Sequence, residues 1–196
     1  GGGNPYTSYN DPSKVFLLFD DFSGAALDTS KWVAYYATKR SSVSTSPISG
    51  ITIEVVNGML HMKVTATDHA GYVETVNPLP VLPGLYVVAK VRWYSPSSKY
   101  AHGHVMFLNE TQDTYMGDDT HDSNYVVAYS YSYYPYFNEY GKYFVTWGKR
   151  AKVSGLGDSW DVTEVVAFVV YDGTARLYVN GNQVGADSTL DVDSLY

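Results

Sequence analysis

Short runs in which apolar and polar residues alternate, separated by turn residues, dominate the pattern of this chain. The clearest is GLYVVAKVRWY at positions 84–94. Alternation with a period of two is typical of a half-buried strand. We therefore expect one set of side chains to be buried and the other exposed, the first set being Val87, Ala89, Val91 and Trp93 and the second Val88, Lys90, Arg92 and Tyr94.

Other segments give the same signal. Asn57-Gly58 between two alternating runs predicts a hairpin, because both turn positions need a positive φ, and Asn180-Gly181 predicts another. An apolar run from Val15 predicts an opening strand, and AHGHVMF at 101–107 is expected beside the strand at 84–93. About twelve to fourteen such strands, with no convincing amphipathic helix, predict an antiparallel β-sandwich or jelly roll with two packed sheets and a concave face.

The ends of the sequence differ from the rest. Residues 1–13 are rich in Gly, Pro, Asn and Ser without apolar periodicity, which predicts a linker or irregular lead-in. Residues 14–196 are expected to form a single domain, since sandwiches of about 200 residues commonly fold as one unit. The absence of an initiator Met suggests a piece of a longer, multidomain protein.

Composition narrows the classes of partner. Twenty acidic residues outnumber thirteen basic ones and give a net charge of −7, which argues against a nucleic-acid partner. No window is apolar enough to insert into a membrane. The chain has no Cys and therefore no disulfides. It has twenty Tyr and many uncharged polar residues, a composition that is common in extracellular or cell-surface β-proteins.

Three short signatures resemble the concanavalin A-like lectin and glucanase superfamily: FDDFSGAALDTSKW at 19–32, VVNGML at 55–60 and YDGTARLYVNG at 171–181. The first two resemble laminarinase-like domains and the third the penultimate hairpin of laminin-G-like ones. The resemblance implies a jelly roll. It also implies a structural Ca²⁺, held through positions that match Asp21, Gly58 and either Asp191 or Asp193.

The catalytic motif of the glucanase branch is missing. Those enzymes carry Glu-x-Asp-x-(x)-Glu on one strand, where alternation points the acids into one cleft, and retaining hydrolysis needs two carboxylates about 5 Å apart. Here the glutamates are isolated on their segments, at Glu54, Glu74, Glu110, Glu139 and Glu164. The sequence therefore argues against hydrolysis of the glucanase type and leaves an enzyme as the less favoured interpretation.

The aromatic side chains suggest a binding face instead. Sugars stack on Tyr and Trp and take hydrogen bonds from flanking polar groups, although Tyr also stabilises sheets without any ligand. If the alternation is assigned correctly, one concave sheet and its loops carry the candidates, which are Arg92, Tyr94, His104, Tyr129, Tyr131, Tyr143, Trp147 and Trp160.

Three functions follow from these patterns. The leading hypothesis is a non-catalytic, lectin-like module that binds a polysaccharide. The second is a structural or adhesive surface-protein domain, which predicts that the candidate sheet is covered or filled by large side chains. The third is a divergent glycosidase or polysaccharide lyase, which predicts two carboxylates converging in the groove.

Overall fold

The fold is all-β, as the alternation predicts. The computed structural model describes residues 15–39, 43–95, 101–108, 126–134, 139–146, 149–156, 161–190 and 192–196. Their strands are β1 (Trp32–Thr38), β2 (Ile51–Val56), β3 (Met59–Val64), β4 (His69–Thr75), β5 (Leu79–Pro80), β6 (Gly84–Trp93), β7 (Ala101–Phe107), β8 (Val127–Tyr134), β9 (Glu139–Thr146), β10 (Lys149–Lys152), β11 (Val162–Tyr171), β12 (Thr174–Val179), β13 (Asn182–Thr189) and β14 (Ser194–Leu195).

The chain forms two compact units, Gly1–Leu79 and Pro80–Tyr196. In the first, β1 pairs antiparallel with β4, and β2 pairs with β3 through the predicted turn. Asn57 and Gly58 have φ of 52° and 70°, the conformation that a two-residue hairpin requires. The prediction of one domain over residues 14–196 stays a prediction.

Glycine allows the two strand pairs of the first unit to pack closely. A β-carbon on Gly71 of β4 would lie 2.9 Å from Cγ2 of Ile51 and 3.4 Å from Cδ1 of Ile53. Both isoleucines belong to the same face of β2, because they are two residues apart. The apolar face of β2 therefore contacts the backbone of β4 directly.

The predicted opening strand is wrong. The described residues between Val15 and Phe22 form no strand, and Phe16 and Leu17 are exposed. Side chains make hydrogen bonds to backbone groups of this segment: Lys31 Nζ donates to the Phe19 carbonyl at 2.6 Å, and Asp20 accepts from the Phe22 N–H at 2.7 Å. Continuous apolar composition indicates strand propensity, but a strand also needs a partner for its backbone groups.

The second unit contains a sandwich of two four-stranded antiparallel sheets. We call the sheet of order β10-β9-β8-β7 the front sheet and the sheet of order β13-β12-β11-β6 the back sheet. The turn Asn180-Gly181, predicted from sequence, joins β12 to β13 with φ of 51° and 83°. Near the C-terminus, the Val81 N–H donates to the Asp193 carbonyl at 3.0 Å, just before β14.

The core of the sandwich lies between the two sheets. Phe107 of β7 and Phe168 of β11 meet edge to face with ring centroids 5.1 Å apart, and a β-carbon on Gly185 of β13 would lie 3.0 Å from the ring of Phe144 on β9. Along β6, the alternation is confirmed, with Trp93 buried and Arg92 exposed. One expectation is wrong: β7 pairs with β8 rather than lying beside β6, so these strands belong to opposite sheets.

Candidate functional site

Those predicted ligand-binding residues that the structure describes fall on three different surfaces. Tyr129 and Tyr131 of β8 lie between the two sheets and are 0% and 1% exposed. Trp93 of the back sheet contacts both rings, with centroids 5.8 Å from Tyr129 and 6.1 Å from Tyr131. These two tyrosines are therefore part of the sandwich core.

His104 and Tyr143 lie on the opposite face of the front sheet. Both are cross-strand partners of Ser130, so the three side chains form one row. His104 Nδ1 is hydrogen-bonded to Ser130 Oγ at 2.6 Å, and Ser130 and Tyr143 are buried. The front sheet is thus buried at this row as well as on its inner face.

Arg92 and Tyr94 lie at the exposed end of the back sheet. The Arg92 guanidinium lies 5.5 Å from the centroid of the Tyr94 ring and donates through Nε and Nη2 to Asp161 Oδ1, at 2.9 and 2.7 Å. Trp147 and Trp160 lie outside the described residues. The structure therefore brings Arg92 next to Tyr94 and places His104 and Tyr143 in one row, but these two groups lie on different sheets.

Glu164 of β11 is the centre of a buried polar cluster between the sheets. Its Oε1 accepts hydrogen bonds from Trp93 Nε1 at 2.9 Å and from the Tyr129 hydroxyl at 2.8 Å, while Oε2 accepts from Lys142 Nζ at 2.9 Å. The side chains of Glu164 and Lys142 are 2% and 3% exposed. A charge so far from water is stable only when its partners replace hydration, as these three donors do.

Aromatic rings enclose this cluster. Lys142 Nζ lies 5.1 Å from the centroid of the Tyr131 ring, an arrangement in which the ring's negative face attracts the cation. Burial, followed by the hydrogen bond to Glu164, raises the pKa of Tyr129 well above its ordinary value of 10.0. Tyr129 is therefore a neutral donor to Glu164 at physiological pH.

The sequence contains a signal for this cluster that isolated motifs miss. Glu164 shares the period of Val166 and Phe168, so it lies on the apolar face of β11. Lys142 shares the period of Phe144 in the same way. A charged residue in an apolar alternation predicts a buried charge, which needs a partner of opposite sign but does not identify it.

The outer face of the back sheet carries exposed aromatic residues. Tyr86 is the cross-strand partner of Val169, and Tyr171 is two residues beyond Val169, so all three share one face. Tyr86 and Tyr171 are 65% and 64% exposed. The Tyr171 ring leans over its partner Gly84, with Cδ2 3.2 Å from where a β-carbon on Gly84 would stand.

Polar groups border these rings on the same face. Arg176 of β12 is the next cross-strand partner of Val169, and its Nη2 lies 3.0 Å from Asp187 Oδ2. Gln183 Nε2 donates to Asp187 Oδ1 at 2.6 Å. The hydrogen bond from Arg176 holds the pKa of the Asp187 carboxyl below its ordinary value of 3.8. The exposed tyrosine rings therefore lie on the same face as polar side chains that hold one another in place.

The residues predicted for calcium have local roles. Asp21 and Gly58 belong to the first unit and Asp193 to the second. Asp21 Oδ1 accepts from the Ser23 N–H at 3.1 Å, and hydrogen bonds from Ser23 lower the pKa of Asp21. Among the residues that the structure describes, no three His, Asp or Glu side chains converge as a metal site. Asp191 lies outside the described residues.

Comparison with protein-family profiles, with characterised proteins and with solved structures finds no match. In the described ranges, no helix has the length and apolar character needed to cross a membrane.

Proposed function

We propose that this chain is a non-catalytic module of an extracellular protein that binds a polysaccharide on the outer face of the back sheet. The observation that carries the proposal is the exposure of Tyr86 and Tyr171 on one face of one sheet. Exposed rings on a rigid sheet stack on the C–H faces of sugars at low entropic cost. This face replaces the concave sheet predicted from sequence as the location of binding.

Neighbouring polar groups supply the orientation that stacking lacks. Arg176, Asp187 and Gln183 already hold one another in place, so their remaining donors and acceptors are pre-organised for sugar hydroxyls. Arg92 and Asp161 form a similar pair at the Trp93 end of β6. The ligands that fit such a face are neutral polysaccharides, for which stacking and hydrogen bonding provide the affinity.

Affinity electrophoresis in gels that contain soluble polysaccharides tests the proposal. We expect retardation of the unaltered protein and its loss in the double variant Tyr86→Ala with Tyr171→Ala. The matched variant Tyr86→Phe with Tyr171→Phe keeps both rings and should retain binding. Met59→Ala, which removes an exposed apolar side chain of the first unit, is a control that should leave retardation unchanged. If no polysaccharide retards the unaltered protein, the proposal is refuted.

The second candidate is a structural or adhesive domain without glycan binding. Burial on both faces of the front sheet favours it, because Tyr129 and Tyr131 fill the inner side and Ser130 and Tyr143 are buried on the other. A domain with this function would bind no polysaccharide and would keep its stability when Tyr86 and Tyr171 are both replaced. Glu164 offers no support for a glycosidase, because three neighbours already bind its carboxylate.

A structural Ca²⁺ remains a proposal that follows from the resemblance at Asp21 and Gly58. Its test is the melting temperature in excess Ca²⁺ and in chelator. We expect a higher value with Ca²⁺, because an ion that binds only the folded state stabilises it, and no such difference in Asp21→Ala. Equal melting temperatures in the two conditions for the unaltered protein would exclude the ion.

A further inference from the structure

We propose that Lys142 and Glu164 condense to an intramolecular amide that links the two sheets of the sandwich. Lys142 Nζ is the nucleophile and the Glu164 side-chain carboxyl is the electrophile. The two side chains are in contact, with Nζ 2.9 Å from Oε2, and both are almost fully removed from solvent. Neither residue belongs to the proposed polysaccharide face, so the cross-link does not depend on that function.

The two oxygens of Glu164 have different surroundings, and the difference fits the different roles that the two oxygens have in amide formation. Oε1 accepts two hydrogen bonds, from Trp93 Nε1 and the Tyr129 hydroxyl, whereas Oε2 faces the amine. Two fixed donors on one oxygen stabilise the negative charge that develops there when a nucleophile adds to the carboxyl carbon. Oε1 is thus placed to become the amide oxygen and Oε2 to leave.

The reaction balances without any co-reactant. The Lys142 ammonium first transfers a proton to Oε2, which gives a neutral amine beside a neutral carboxylic acid. Nζ then forms a bond to Cδ of Glu164, and the tetrahedral intermediate holds its charge on Oε1. The Cδ–Oε2 bond breaks as Nζ releases a second proton, and Oε2 departs as water. One N–H remains on the new amide, and no electron is gained or lost.

Burial favours both the first step and the product. An ion pair between the sheets has lost its hydration, so proton transfer that neutralises both groups costs far less there than in water. An ammonium also carries three donors, while the described contacts of Nζ comprise one hydrogen bond and the Tyr131 ring. The amide needs to satisfy only one N–H, which matches this environment better.

The bond would join β9 to β11, which belong to opposite sheets. Separation of the sheets would then require breaking a covalent bond and not only the contacts between aromatic rings. The linked residues are 22 positions apart. The cross-link closes a loop in the unfolded chain and so restricts the states available to it.

Intact mass measured after folding and then full denaturation tests the cross-link. We expect the unaltered chain to be lighter than its sequence by one water, and Lys142→Arg to have its full mass. Cyclisation at Asp172-Gly173 also releases water, but it would remain in Lys142→Arg and is thereby separated from the cross-link. Circular dichroism shows whether Lys142→Arg folds.

Peptide mapping decides the question from the unaltered protein alone. Trypsin cuts at Lys149, Arg150 and Lys152, between the two residues, so their peptides stay together only through the amide. We expect one branched peptide that contains both Lys142 and Glu164. Full intact mass, or separate peptides for the two residues from folded protein incubated for days, would overturn the proposal.

Discussion

Trp93 lies directly against Gly103, across the space between the two sheets. A β-carbon on Gly103 would stand 2.6 Å from Cζ3 and 2.7 Å from Cε3 of the indole, closer than atoms can approach. The indole cannot retreat easily, because its Nε1 donates to Glu164 and its ring packs on Tyr129 and Tyr131. The glycine of β7 is therefore required by the tryptophan of β6.

Gly103→Ala should destabilise the protein by about 1–3 kcal/mol, the usual cost of inserting a methyl group into a packed core. Chemical denaturation monitored by Trp fluorescence measures the change. Gly24→Ala is the matched control, because a β-carbon there meets only the Ala26 carbonyl at an ordinary 3.6 Å. Equal stability of the two variants would show that the indole moves aside.

Tyr129→Phe should lower the free energy of unfolding by about 1–3 kcal/mol, because it leaves a buried acceptor with one donor fewer. The substitution removes only the hydroxyl that donates to Glu164 Oε1 and keeps the ring against Trp93. Urea denaturation is the measurement. Tyr86→Phe removes an exposed hydroxyl and should change stability little; a comparable loss there would contradict the assigned role of the buried bond.

The free energy of unfolding should fall at alkaline pH because Tyr129 has different pKa values in the folded and unfolded states. Its pKa is raised in the folded protein by burial and by Glu164, so the folded state keeps a proton that the unfolded chain releases above pH 10.0. The stabilisation is complete below that pH and declines as the pH rises further. Urea midpoints measured across this range should decline less steeply in Tyr129→Phe, and parallel profiles would refute the assignment.

Asp20→Ala should destabilise the first unit by about 1–3 kcal/mol, since a charged acceptor serves two donors. Asp20 Oδ2 accepts from Trp32 Nε1 at 2.8 Å, and Oδ1 accepts from the N–H of Phe22, whose φ is 54°. Thermal unfolding of the whole chain provides the measurement. Asp21→Ala is the neighbouring control in the absence of Ca²⁺, and an equal effect of the two would contradict a special role for Asp20.

The candidate ligand-binding residues show where prediction from sequence stopped. Alternation correctly placed Arg92 outward and Trp93 inward. It did not tell which face of β8 would be covered. The structure buries the described side chains on both faces of β8, and so the described candidates are divided among three surfaces.

Local chemistry in the sequence by itself determined the all-β class, the Asn-Gly hairpins and the alternation of β6, because period and turn geometry depend on neighbours in the chain. Pairing of strands depends on residues far apart in sequence. Only the tertiary structure decided that β7 pairs with β8, that the segment after Val15 finds no strand partner, and that Lys142 meets Glu164 across the sandwich. Contacts of that kind are set by packing, which no local pattern encodes.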